Sequence, residues 1–90
     1  MIMQDKKCFF CGRTDGLEVH HAIHGWANRK KSEQYGLTVY LCNYHHTGGI
    51  KSVHRNINMD TQVKQYAQKY FEANIGSREL FLKEFGRNYL

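Results

Sequence analysis

Ninety residues with 41% hydrophobic side chains make one domain, too short for two and too apolar for a disordered chain. No apolar run approaches the roughly 20 residues of a membrane span, and the start, Met1-Ile2-Met3-Gln4-Asp5-Lys6-Lys7, has no stretch of signal-peptide length, so a cytoplasmic protein without membrane partners is expected. The net charge of +5 is uneven: Arg29, Lys30, Lys31, Lys51 and Arg55 are opposed between Trp26 and Asn56 only by Glu33, which suits either a polyanion or a solubilising face.

In chain order, Cys8-Phe9-Phe10-Cys11-Gly12 reads as a tight knuckle, and Asp15-Gly16 as a turn. The turn feeds an alternating strand, Leu17-Glu18-Val19-His20, with Leu17 and Val19 on one face. Residues 22–36, with Gly25, Asn28, Ser32 and Gly36 spread through them, read as a loop. A second strand is predicted over 37–41 from its β-branched and aromatic side chains, then a short helical stretch over 42–47 that Gly48-Gly49 ends. A longer helix is predicted from Asp60 as N-cap, with an apolar stripe of Val63, Tyr66, Ala67, Tyr70 and Phe71 ended by Gly76. Ser77 caps a last helix carrying Leu80, Phe81 and Phe85, with Gly86 after it. These stripes are core and carry no chemistry.

Three cysteines, an odd number, argue against a disulfide framework and for a metal. Cys8-x-x-Cys11 and Cys42-x-x-His45 are two ligand pairs whose spacing lets tight turns aim all four side chains at one tetrahedral ion. Four protein ligands leave no place for water, so this is read as a structural zinc site. The 30 residues from Gly12 to Leu41 allow a β-hairpin with a long connection, the layout of a treble clef.

Five histidines remain: His20, His21, His24, His46 and His54. His20 and His21 point to opposite sides of their strand, and the staple fixes His46 in space. If the hairpin closes, one of the pair faces His46, where a divalent ion would stay open to water. His24 reads as a loop histidine, His54 as a metal or phosphate contact, and Trp26 as either a stacking residue or an exposed-edge core aromatic.

The ordered runs Cys8-Phe9-Phe10-Cys11-Gly12, Glu18-Val19-His20-His21 and Leu41-Cys42-Asn43-Tyr44-His45-His46 resemble the zinc-stapled HNH endonuclease family. Residues 31–42 with Val53-His54 are similar to a phage-borne branch linked to recombination. The resemblance covers about residues 8–55 and implies a small α+β domain, with a ββα-metal (His-Me finger) core followed by a helical extension over 58–90. It implies His21 as the general base, and His20 and His46 as ligands of a catalytic divalent ion, to which His54 is the further candidate. The family's middle Asn has no counterpart: Asn28 is too far upstream, and Glu33 and Thr38 are the candidates for its place.

The expected activity is metal-dependent hydrolysis of DNA phosphodiesters. An imidazole with a pKa near 6.5 can take a proton from water, and Mg, Mn, Ni or Zn suits imidazole-rich coordination. Lys30, Lys31, Lys51 and Arg55 would hold the backbone of double-stranded DNA. A second copy, or a larger phage or host protein, would supply specificity. The competing reading is a non-catalytic zinc module that binds DNA or protein, including an inhibitor or adaptor of another nucleoprotein machine.

Overall fold

The computed structural model describes residues 5–90; residues 1–4, part of the start discussed above, lie outside them. Among the described residues the fold is a small α+β arrangement of one two-stranded antiparallel sheet and three α-helices. β1 (Leu17–His21) pairs with β2 (Thr38–Cys42), with Leu17 opposite Cys42, His20 opposite Val39 and His21 opposite Thr38. The second strand starts and ends one residue later than the sequence pattern suggests. The knuckle docks on β2 through the Phe9 N–H, which donates to the Tyr40 carbonyl at 2.9 Å. This brings Cys8 and Cys11 to the end of β2 that carries Cys42.

The apolar-in rule is inverted on β1. Val19 is 52% exposed, whereas His20 on the opposite face is 3% exposed. A strand that turns a histidine inward and a valine outward has another use for its inner face than hydrophobic burial.

Residues 22–36 are not simply a loop: α1 runs over Trp26–Gln34. Ser32 is its one buried residue, so the segment is polar on nearly every side and has no apolar stripe to betray a helix. Tertiary bonds hold it. The Ser32 hydroxyl donates to the Ile23 carbonyl at 2.5 Å and accepts from the Ile23 N–H at 3.2 Å. Lys31 Nζ donates to the Glu84 carbonyl at 2.6 Å, and the Tyr35 ring meets Phe71 edge-on at 5.3 Å.

After β2 the chain forms a π-helical turn over Tyr44–Gly48, closed by the Gly49 N–H donating to the Tyr44 carbonyl at 2.9 Å. The Tyr44 ring packs over Gly49, where a Cβ would lie 2.5 Å from it. α2 (Ile57–Asn74) begins earlier than Asp60: its cap is Asn56, whose side chain accepts from the N–H groups of Asn58 and Met59. Asp60 lies in the first turn instead, where a carboxylate complements the helix dipole. α3 (Arg78–Phe85) is capped by Ser77 and ends on Gly86 at φ 75°, the left-handed geometry glycine tolerates best.

The core is one cluster. Leu37, Val39 and Leu41 meet Val63, Ala67 and Phe71 of α2, Phe81 and Phe85 of α3, and Cys8 and Cys42. Tyr66, expected on the α2 stripe, is 42% exposed and packs edge-on against Phe9 at 5.0 Å. Among the described residues no helix is long and apolar enough to cross a membrane.

Candidate metal centres and the histidine cavity

Among the described residues, two clusters of ligand atoms flank the π-helical turn. The first joins Cys8, Cys11, Cys42 and His45, whose donor atoms all lie within 4.8 Å of one another. Cys11 Sγ is 3.7 Å from Cys42 Sγ, and His45 Nδ1 is 3.7 Å from Cys8 Sγ and 3.2 Å from Cys42 Sγ. A tetrahedron with metal–sulfur bonds of about 2.3 Å has S···S edges of roughly 3.8 Å, so the donors stand at the separations one bound ion requires. Burial pushes the Cys8 thiol up, but backbone hydrogen bonds from Cys11, Cys42 and Phe10 outweigh it, and its pKa is lowered. An Arg13 backbone bond lowers Cys11, yet partial burial and the neighbouring Cys8 and Cys42 sulfurs raise it overall. Thiolates this close repel one another, and a cation among them removes the conflict.

The second cluster is His20, His46 and His54, again with donor atoms within 4.8 Å of one another. The His20 ring lies 5.2 Å from His46 and 5.5 Å from His54, and His46 lies 4.9 Å from His54. His20 Nε2 is buried with no hydrogen-bond partner among the described residues. An orphaned buried nitrogen costs free energy unless something satisfies it. Burial, then the charges of His46, His24 and His54, pull the His20 pKa from 6.5 down to about 3, against a smaller upward pull from Asp60. His54 is lowered too, by burial first and then by His46 and His24. Both imidazoles are therefore held neutral, the form that ligates a metal. His46 Nδ1 sits 3.2 Å from Glu18 Oε1, the carboxylate–histidine arrangement that leaves Nε2 free for an ion.

These three side chains line a cavity of about 460 Å³ together with Val19, His21, His24, Gly25, Trp26 and Arg29. His21 borders the same space although it follows His20 directly, and its Nε2 is 3.7 Å from Glu33 Oε2. Of the two candidates for the middle position, Glu33 is within ion-pair distance of His21, and Thr38 is its cross-strand partner.

His24 is no idle loop histidine. Its Nε2 lies 2.8 Å from Asp60 Oδ1, and the other carboxylate oxygen is 2.7 Å from Lys64 Nζ. Of the four basic residues singled out above, Lys30, Lys51 and Arg55 are exposed, whereas Lys31 is spent on Glu84 and fastens α1 to α3.

Sequence reasoning gave Glu18 and Asp60 no place beside the histidines, and it read Arg29 only as part of the basic run. Alternation along β1 places Glu18 on the face of His20, a signal that could have found the first. Asp60 meets His24 across 36 positions, and no local pattern announces that. Compared with family models, with curated proteins and with solved structures, the chain gives no match.

Proposed function

We propose that this chain is a metal-dependent DNA endonuclease of the HNH, ββα-metal kind, stapled as a treble clef by zinc at Cys8, Cys11, Cys42 and His45. The observation that carries the reading is the buried His20 Nε2, without a partner among the described residues, beside the imidazoles of His46 and His54 at an open cavity. A purely structural role would have paired that nitrogen or replaced it with an apolar group.

A divalent ion held by His20, His46 and His54 would neutralise charge on the phosphate and on the leaving oxygen. The chain's own groups supply the rest. His21 takes the proton from the attacking water, and Glu33, within ion-pair reach, turns the ring and takes the place of the family's middle Asn. Glu18 holds His46 in one orientation. Arg29, at the cavity wall, takes a phosphate oxygen, and Lys30, Lys51 and Arg55 hold the backbone further out.

The test is nicking of supercoiled plasmid with Mg and with Mn, run beside His21→Ala. The parent should nick and the variant should be severely slowed. A parent that never cuts with Mg, Mn, Ni or Zn would leave the non-catalytic zinc module as the better account.

A further inference from the structure

Trp26 is the chain's single tryptophan, and it is 99% exposed at the first position of α1. A tryptophan carries one of the largest apolar surfaces of any side chain, and leaving it wholly in water forgoes the stabilisation its burial would bring. It has no place in the core cluster. It stands instead on the rim of the histidine cavity, beside the half-exposed Val19.

Its neighbours are cations. Arg29 follows at the i+3 position, on the same side of the helix, and lines the same cavity. Lys30 shares a second surface hollow of about 440 Å³ with Trp26, Ala27, Arg29 and Glu33. A free aromatic face flanked by two positive groups and bordering an imidazole cluster matches one chemistry closely. An unpaired nucleobase offers a π face to the indole and a phosphate to the cations. A paired duplex keeps its base faces stacked on one another and offers no such surface. An apolar peptide would find only Val19 and Trp26, hemmed in by charge.

We infer that Trp26 and Arg29 form a stacking platform for an unpaired DNA base, and that the strand presented to the histidine cavity is locally single-stranded. The inference rests on the endonuclease reading for what happens next, but not for binding. The indole stacks on the base one step from the target phosphate, Arg29 takes the intervening phosphate, and the backbone is thereby led to the cavity mouth.

The experiment uses the full chain carrying one zinc per molecule with no further divalent ion added, so that binding is read without cutting. A labelled oligothymidine strand and a hairpin duplex are titrated while indole fluorescence and label anisotropy are followed. The single strand should quench Trp26. Trp26→Ala should weaken single-strand binding by about 10-fold or more and change duplex affinity by less than about 2-fold. Trp26→Phe should restore most of the loss, since a phenyl face also stacks. Unchanged fluorescence, an equal loss on both substrates, or quenching by protein concentration alone (a second copy covering the indole) would overturn the platform. Tighter binding of oligouridine than of oligothymidine would overturn it as a DNA site. Strand binding that needs Trp26 in a protein that never nicks plasmid supports the platform and sinks the endonuclease reading. Nicking with Trp26→Ala binding like the parent does the reverse.

Discussion

His24 Nε2 and Asp60 Oδ1 lie 2.8 Å apart, and this bond fastens the histidine cavity to the first turn of α2. The residue Asp60 is 7% exposed, and its carboxylate also holds Lys64 at 2.7 Å. Asp60→Ala would leave the Lys64 ammonium and the His24 ring without their partner, a cost of about 1 to 3 kcal/mol. Asp60→Asn, which keeps the shape and one acceptor, should cost less. Urea unfolding of the two variants beside the parent checks the order, and equal midpoints for all three would contradict it.

The Cys/His centre should behave as part of the fold. Cys42→Ser removes a ligand that is also buried in the core cluster, so the variant should lose its metal and its helical signal together. Elemental analysis with circular dichroism reads both. A folded, metal-free Cys42→Ser would show that the core alone sustains the structure.

The histidines of the cavity should fail in different ways. His21→Ala should keep metal and DNA binding but cut about 10² to 10⁴-fold more slowly, the usual contribution of a positioned acid–base group. His20→Ala and His46→Ala should weaken the second ion, so part of their activity should return at high Mn. None should lose the ion at Cys8, Cys11, Cys42 and His45. Titrating Mn into each variant during plasmid nicking separates the classes.

In the proposed reading, Glu18 acts on the second ion through His46. Glu18→Gln keeps a hydrogen-bond acceptor but removes the carboxylate charge behind the ligand. Affinity for the second ion should drop about 10- to 100-fold, with the first centre untouched. Calorimetric Mn titration of zinc-loaded protein measures it, and an unchanged isotherm would remove Glu18 from the site.

His20 also sets a pH dependence. Its folded pKa, about 3, lies below the 6.5 of the unfolded chain, so below 6.5 the unfolded state binds a proton that the folded state refuses. The stability His20 contributes is complete above 6.5 and drains away as pH falls toward 3. Unfolding free energy should therefore drop between neutral pH and about pH 5, and drop less in His20→Leu. Acid protonation of the cysteine ligands affects both proteins alike, so the difference between them isolates the histidine.

Much of this was legible in the residue order. The two ligand pairs carry their spacing openly, and the surplus of histidines pointed to a cluster that does include His20, His46 and His54. What stayed hidden was held by distant partners. α1 has no apolar stripe because Ser32, Lys31 and Tyr35 fasten it through Ile23, Glu84 and Phe71. Asp60 looked like a cap because Asp is a good one, but Asn56 is as good and comes first. The stretch between them, Ile57-Asn58-Met59, has too little periodicity to announce a helical turn.

The π-helical turn has a genetic consequence. It holds one residue more than an α-helical turn would, and within it adjacent His45 and His46 belong to different clusters. Losing a single codon, for Asn43 or Tyr44, would convert the turn to the commoner geometry and slide His46 into the third position after Cys42. The cysteines would still receive an imidazole, while His20 and His54 would be left as a pair. A one-codon deletion should thus yield a chain that folds and keeps its first ion but has lost the second site, a separation that point substitution can only approximate.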